Sequence, residues 1–139
     1  MAESSGALRV EVVSPEKVLF SGDATQVITR TIEGGEIAFL PGHAAFLGAL
    51  TQNHTRIYLA DGSIQNLAVH LGFVEVGPDH VTILSDAAEL EEDIDVARAR
   101  AAKARAEEQM RNEHSAEVEG DLRRAHARLA ATGGIEASH

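Results

Sequence analysis

Cysteine is missing from this 139-residue chain, and so is tryptophan. The first absence excludes a disulfide framework and a thiolate metal site, and it suits a reducing cytoplasm. The second, with aromatic residues at only 4%, leaves the core to Val, Ile, Leu and Ala. Apolar residues still make up 44%, enough for one domain of ordinary size with a small appendage. No apolar run approaches the roughly 20 residues that span a bilayer, so any membrane association is expected to come through a partner. The leading segment Met1-Ala2-Glu3-Ser4-Ser5-Gly6 is polar and acidic, unlike a secretory signal or a transit peptide.

Positive charge is also scarce: 12 Lys and Arg stand against 22 Asp and Glu, a formal net charge of −10. A surface for nucleic-acid phosphate needs the opposite sign, so nucleic acid is not an expected partner. The scarcity is uneven. Residues 1–90 hold 4 basic and 11 acidic side chains, a balance of −7, whereas residues 91–139 hold 8 and 11, a balance of −3. All eight of those basic residues lie between Arg98 and Arg128. Such a row is either a solvated helix face or a surface for an acidic partner.

What is present falls into two halves with different periods. Leu8-Arg9-Val10-Glu11-Val12 alternates apolar and polar, the mark of a half-buried strand, and Arg56-Ile57-Tyr58-Leu59 and Phe73-Val74-Glu75-Val76 do the same. Leu67, Val69 and Leu71 would share one face of a further strand, and Val81 and Ile83 of another. Turn chemistry separates these runs at Ser14-Pro15-Glu16, Ser21-Gly22-Asp23, Glu33-Gly34-Gly35, Pro41-Gly42, Asp61-Gly62 and Gly77-Pro78-Asp79. Short strands at close spacing with no helix between them predict an antiparallel sandwich or flattened barrel.

From Ala87 onward Ala, Glu and Arg dominate, no proline follows Pro78, and helix is expected. With Asp93 as cap, the pattern predicts a first helix over 93–111, a turn over 112–115 and a second helix over 116–131 that ends before Gly133-Gly134. The boundary places a β-domain at 1–88 and a helical hairpin at 89–139. The apolar stripes are thin: Ile94, Ala97, Ala101, Ala104 and Met110 on the first helix, and Val118, Leu122, Ala125 and Leu129 on the second. Alanine seams bury little area, so this hairpin should be able to part from the sandwich.

A catalytic or metal site finds no support in the pattern. The histidines are scattered, with no H-x-x-x-H or H-x-H spacing. No G-x-S-x-G elbow occurs, and Gly34-Gly35 is too short to cradle phosphate. The stretch Phe39-Leu40-Pro41-Gly42-His43-Ala44 joins an apolar pair, a forced turn and an imidazole into a projecting corner, or is simply a turn with an incidental histidine.

At this corner a resemblance emerges. Val13-Ser14-Pro15-Glu16 with Leu19-Phe20-Ser21-Gly22 resembles the opening of epsilon subunits of F-type ATP synthases. Gly35-Glu36-Ile37-Ala38-Phe39-Leu40-Pro41-Gly42-His43-Ala44 is similar to that family's G-E-x-G-x-x-P-G-H-A-P stretch, and Ala68-Val69-His70-Leu71-Gly72-Phe73-Val74-Glu75-Val76 to its A-V-x-G-G-F-V-E-V. Val81-Thr82-Ile83-Leu84-Ser85-Asp86 resembles V-T-I-L-A-D, and Ile94-Asp95-Val96-Ala97-Arg98-Ala99 resembles I-D-x-x-R-A. The matches run in order from about residue 10 to 99. Ala38 and Leu71 stand where the family pattern has glycine, and Ala45 where proline is common.

The resemblance implies a ten-stranded antiparallel β-sandwich followed by an antiparallel two-helix hairpin, and a rotor subunit that does no chemistry itself. It implies that the sandwich binds the gamma subunit and the c-ring, with Glu36 and the Pro41-Gly42-His43 turn on one docking corner. The hairpin would extend into the alpha/beta catalytic head and restrain ATP hydrolysis, with Arg123, Arg124 and Arg128 as its basic face. No tightly held cofactor is implied. A regulatory ATP site would draw on Glu89, Ile94, Asp95, Arg98, Ala99, Arg124 and Arg128; the plain alternative is that those arginines form salt bridges to Glu108, Glu117, Glu119 or Asp121. The implied location is peripheral, at the cytoplasmic face of a bacterial plasma membrane. The competing readings are a free-standing β-sandwich that binds a small ligand and a hydrolase built on His43.

Overall fold

A computed structural model describes residues 7–133. The readings made for Met1–Gly6 and for Gly134 lie outside the described residues. Nine strands come first: β1 (Leu8–Val13), β2 (Val18–Thr31), β3 (Gly35–Phe39), β4 (Phe46–Leu50), β5 (Asn53–Leu59), β6 (Ile64–His70), β7 (Gly72–Val76), β8 (His80–Leu84) and β9 (Ala87–Leu90). A 3-10 turn at Glu91–Asp93 leads into helices α1 (Val96–Asn112) and α2 (Ala116–Ala131).

Hydrogen bonding runs β1-β8-β7-β4-β2-β5-β6-β9, with β3 on β2 and β1 also on β2. The ladder folds over itself because β2 serves both layers. Its first half pairs with β1 as far as Ala24, and its second half pairs with β3 and β5, with an irregularity between Ala24 and Gln26. Bulges of this kind bend a strand and let it change sheets. Counted by halves, β2 accounts for the expected ten strands. The run Ser21-Gly22-Asp23, expected as a turn, therefore lies inside a strand, where Gly22 pairs with Val10.

The sheet is not wholly antiparallel. β1 lies parallel to β8, Val10 beside Val81 and Val12 beside Ile83. Hairpin geometry fixes direction only between strands that follow each other, and these two are far apart in sequence. The turn expected at Asp61-Gly62 is found: β5 and β6 pair antiparallel around it as a hairpin, with Gly62 at φ 92°. Inward positions of both layers form one core that includes Leu8, Val10, Val12, Val27, Phe39, Ile57, Val69, Val74 and Ile83. Leu67 and Val69 share its buried face, but Leu71 does not continue that face; it has left the strand and is half exposed.

The cap of α1 lies two residues later than expected, whereas α2 spans the expected 116–131. Asp95, not Asp93, caps α1, its carboxylate accepting the Arg98 N–H at 3.0 Å. Ser115 caps α2 in the same way through Val118 N. The α1 seam is Ala99 and Ala106, whereas Ala97, Ala101 and Ala104 are exposed. Alanine occurs on every side of α1, so the sequence offers no contrast by which to phase it. On α2 the expected Val118, Ala125 and Leu129 are buried with Leu122 half-buried, and Gly120, Ala127 and Ala131 are buried too. Residues two apart sit about 200° around a helix, so α2 is covered on two nearly opposite faces. It packs on α1 on one side and on β5 and β6 on the other. The sheet runs to Leu90, two residues past the boundary expected at 88.

Candidate functional site

The junction between hairpin and sheet is built from small side chains and one carboxylate. Ala68 of β6 meets Ala127 and Ala131 of α2, with Ile94 packed alongside. Next to them Glu89 of β9 accepts two hydrogen bonds on one oxygen, from His70 Nε2 at 3.0 Å and from Arg128 Nε at 2.7 Å. A carboxylate only accepts, so His70 carries its hydrogen on Nε2. His70 is almost fully buried, and its Nδ1 has no partner among the described residues. The hydrogen bond from His70, aided by Arg128 and opposed by burial, holds the Glu89 carboxyl down at about 2. Glu89 thus joins β9, β6 and α2 at one point.

Of the residues expected around ATP, the structure brings together Glu89, Ile94 and Arg128. Asp95 and Arg98 meet only through the helix cap, and Ala99 is buried within the hairpin. Arg124 forms an ion pair with Asp121 on its own helix, and Arg123 reaches Gln52 at 3.3 Å and Glu119 at 3.9 Å. Two of the three guanidiniums proposed for phosphate are therefore already met by carboxylates. A triphosphate at these arginines would have to compete with Glu89 and Asp121. Next to this latch of Glu89, His70 and Arg128, Asn66 donates to Glu91 and Gln65 to Glu92, both at 3.1 Å, which ties the 3-10 turn to β6. The same Asn66 accepts from His54 at 2.6 Å, and burial lowers that histidine below the usual imidazole range.

The second region is β3, which pairs with β2 alone among the described strands. Glu36 lies near its beginning, held by Arg56 of β5 at 2.7 Å. Pro41, Gly42 and His43 follow its end in a tight turn, with His43 N–H bonded to Leu40 O at 3.1 Å and Gly42 at φ 89°. Five extended residues cover about 16 Å, so Glu36 and the turn mark two ends of an edge rather than one corner. Gly42 N–H also bonds Pro78 O at 2.7 Å, which ties this turn to the β7–β8 turn. There a hydrogen bond to Asp79 raises His80 above its usual value. The His43 ring packs edge-on against Phe39, 5.0 Å between centroids, and its Nδ1 lies 2.8 Å from Ala44 O. These are structural contacts, and among the described residues no carboxylate partners the imidazole as a hydrolytic site would require.

Sequence reasoning missed the third region. The outer face of β4, β7 and β8 exposes Leu47, Phe73 and Leu84, with Ile32 and Leu71 beside them. Phe73 stands opposite Leu84 and Leu47 opposite Glu75 across the ladders. Next to them is an open apolar depression of about 640 Å³ whose lining includes Val13, Ile32, Leu71, Phe73 and Leu84. Its signal was visible only as Phe73 and Leu84 on the polar phase of their strands. It needed the register to become a surface.

Residues 7–91 match the family of the ATP synthase delta/epsilon chain beta-sandwich domain, and residues 92–133 match that of its long alpha-helix domain. The chain is 45% identical over 132 residues to an ATP synthase epsilon chain of Halalkalibacterium halodurans, covering 91% of this chain and 97% of that one. It is 39% identical over 133 residues to that of Moorella thermoacetica, with 93% and 98% covered. The fold superposes on a chain in the cryo-EM structure of the Euglena gracilis mitochondrial ATP synthase at TM-score 0.72 and 18% identity, covering 99% of this chain and 84% of the other. From β1 to the end of α2, the chain belongs to the epsilon-chain family of the ATP synthases.

Proposed function

We propose that this chain is the central-stalk subunit that couples the c-ring to the gamma subunit during proton-driven ATP synthesis, and that its hairpin restrains ATP hydrolysis. One observation carries the regulatory part: α2 docks on the sheet through alanines and a single shared carboxylate, an interface that can part without exposing a large apolar core. The sandwich supplies the fixed part. Its apolar face on β4, β7 and β8 suits the gamma subunit. The β3 edge, from Glu36 to His43, suits the polar loops of the c-ring. Once released, the hairpin would carry Arg123, Arg124 and Arg128 to acidic side chains of the alpha/beta head and oppose rotation in the hydrolysis direction. No helix among the described residues is long and apolar enough to cross a membrane. Attachment would run through the complex, at the cytoplasmic face of the bacterial membrane.

The test is ATP hydrolysis by the reconstituted complex carrying either the full chain or a chain ending at Leu90. Faster hydrolysis with the shortened chain, at unchanged assembly, supports the reading. Equal rates at every salt concentration would remove the hairpin as an inhibitor. A β-sandwich that binds a small ligand on its own, the alternative, would not co-purify with the complex.

A further inference from the structure

Leu71 is the one non-glycine among the described residues with a positive φ, 57°. Branched L side chains occupy that region only at a cost, and such outliers persist where something over-determines them. The backbone here cannot move aside. Gly72 sits at φ 149°, where an added Cβ would lie 2.1 Å from Leu84 O, and Ser85 Oγ donates to Leu71 O at 2.7 Å. The junction of β6 and β7 thus requires a left-handed residue, which glycine or asparagine would supply freely, yet leucine stands there. Its side chain is not repaid by burial in this chain, because it is half exposed on the wall of the apolar depression, beside Ile32, Phe73 and Leu84.

The rim shows which occupant the face would accept. Glu16 and Glu33 adjoin the lining residues Pro15 and Ile32, Asp86 lines the depression itself, and Glu75 lies opposite Leu47; Lys17 and Arg30 are the nearby exceptions. A second copy would bring one acidic rim against another, which an isologous contact cannot avoid. A partner with an apolar patch inside a basic rim would be complementary.

We propose that Leu71 is an anchor residue for the gamma subunit, held in a strained backbone so that its side chain completes the docking face. This rests on the docking assigned above to the β4, β7 and β8 face. The test is rebinding of full-length variants to the catalytic sector of the synthase depleted of this chain. Leu71→Gly and Leu71→Asn should melt higher than the parent, by about 4 °C for the glycine variant, yet bind about tenfold more weakly. Phe73→Ser should bind more weakly still. If Leu71→Gly binds like the parent while Phe73→Ser does not, the docking face stands and the role of Leu71 falls. If neither variant changes affinity, the docking assignment is wrong and the proposal falls with it. Light scattering of the parent alone closes the last route: a dimer that Leu71→Gly disperses would make the occupant a second copy and overturn the proposal.

Discussion

The sandwich and the hairpin are buried by different means. The sandwich core uses Phe39, Leu8, Ile57, Leu67, Ile83 and a set of valines, all essentially inaccessible to water. The buried residues of the hairpin are Ala99, Ala106, Gly120, Ala125, Ala127 and Ala131, with only Val118 and Leu129 larger. At about 25 cal/mol per Å², a methyl side chain contributes a fraction of what a leucine does. The hairpin therefore depends on the discrete polar contact between Glu89 and Arg128, with only a weak addition from Arg123 and Gln52. One polypeptide holds a part that stays folded beside a part that can leave, and the difference is written in side-chain size.

Truncation of a core side chain sharpens this contrast most. Ile57→Ala opens a cavity between the layers and should cost about 3 kcal/mol, lowering the melt by roughly 10 °C. Ala125→Gly, at a buried α2 position, should cost about 1 kcal/mol and appear in the helical signal alone. Circular dichroism at a helix-weighted and a β-weighted wavelength, with the chain ending at Leu90 as reference, distinguishes them. A single transition, coincident at both wavelengths and shifted as a whole by either substitution, would mean one cooperative unit, and the comparison would fail.

Much of the sandwich was legible because period-two alternation reports burial directly. The strands around Val10, Ile57, Val74 and Val81 follow from it, as does the β5–β6 turn at Asp61-Gly62. The long β2 was not legible. Ser21-Gly22-Asp23 has turn composition, and only pairing with β1 keeps it extended. In the hairpin the second helix could be phased from Val118, Ala125 and Leu129, since each differs from its polar neighbours. The first could not, because exposed and buried alanines are alike in sequence. Among the site residues, Glu89 and Arg128 are candidates for a nucleotide, and the structure joins them to each other. His70, the third member of that contact, sat on the face opposite Val69 with nothing in the sequence to mark its partner.

A smaller effect is expected at the latch. Glu89 is held at about 2, below an ordinary value of 4.5, so its contribution is complete above pH 4.5 and is lost as pH falls toward 2. Taken in full the depression would correspond to about 3 kcal/mol, but solvent reaches about a third of the side chain, which trims it to about 1–2 kcal/mol. Glu89→Gln should remove that pH dependence and, by weakening the contacts to both Arg128 and His70, loosen the hairpin and the β6–β9 pairing at neutral pH. Hydrogen exchange of α1 and α2 as a function of pH reads this directly. Parent and variant losing helix protection along the same acid curve would show that the hairpin is held elsewhere.

The smallest effect belongs to Arg123, and its smallness makes it informative. Its side chain is half exposed, its bond to Gln52 is long at 3.3 Å, and its ion pair to Glu119 spans 3.9 Å. An exposed contact of this kind contributes about 0.2–1 kcal/mol, so Arg123→Ala hardly disturbs the docked hairpin. Arg128→Ala acts in two directions at once: it breaks the bond to Glu89, which favours release, and it removes a cation from the released hairpin. Arg123→Ala therefore reports the released state with little interference from the docked one. Hydrolysis by the reconstituted complex should rise with Arg123→Ala, by less than about fivefold for one such contact. Raised salt should mimic part of the rise, because screening weakens the same exposed pairs, and should add little in the variant. A fall in hydrolysis with Arg123→Ala would place this arginine among the docking contacts after all, and the released hairpin would then act through other side chains.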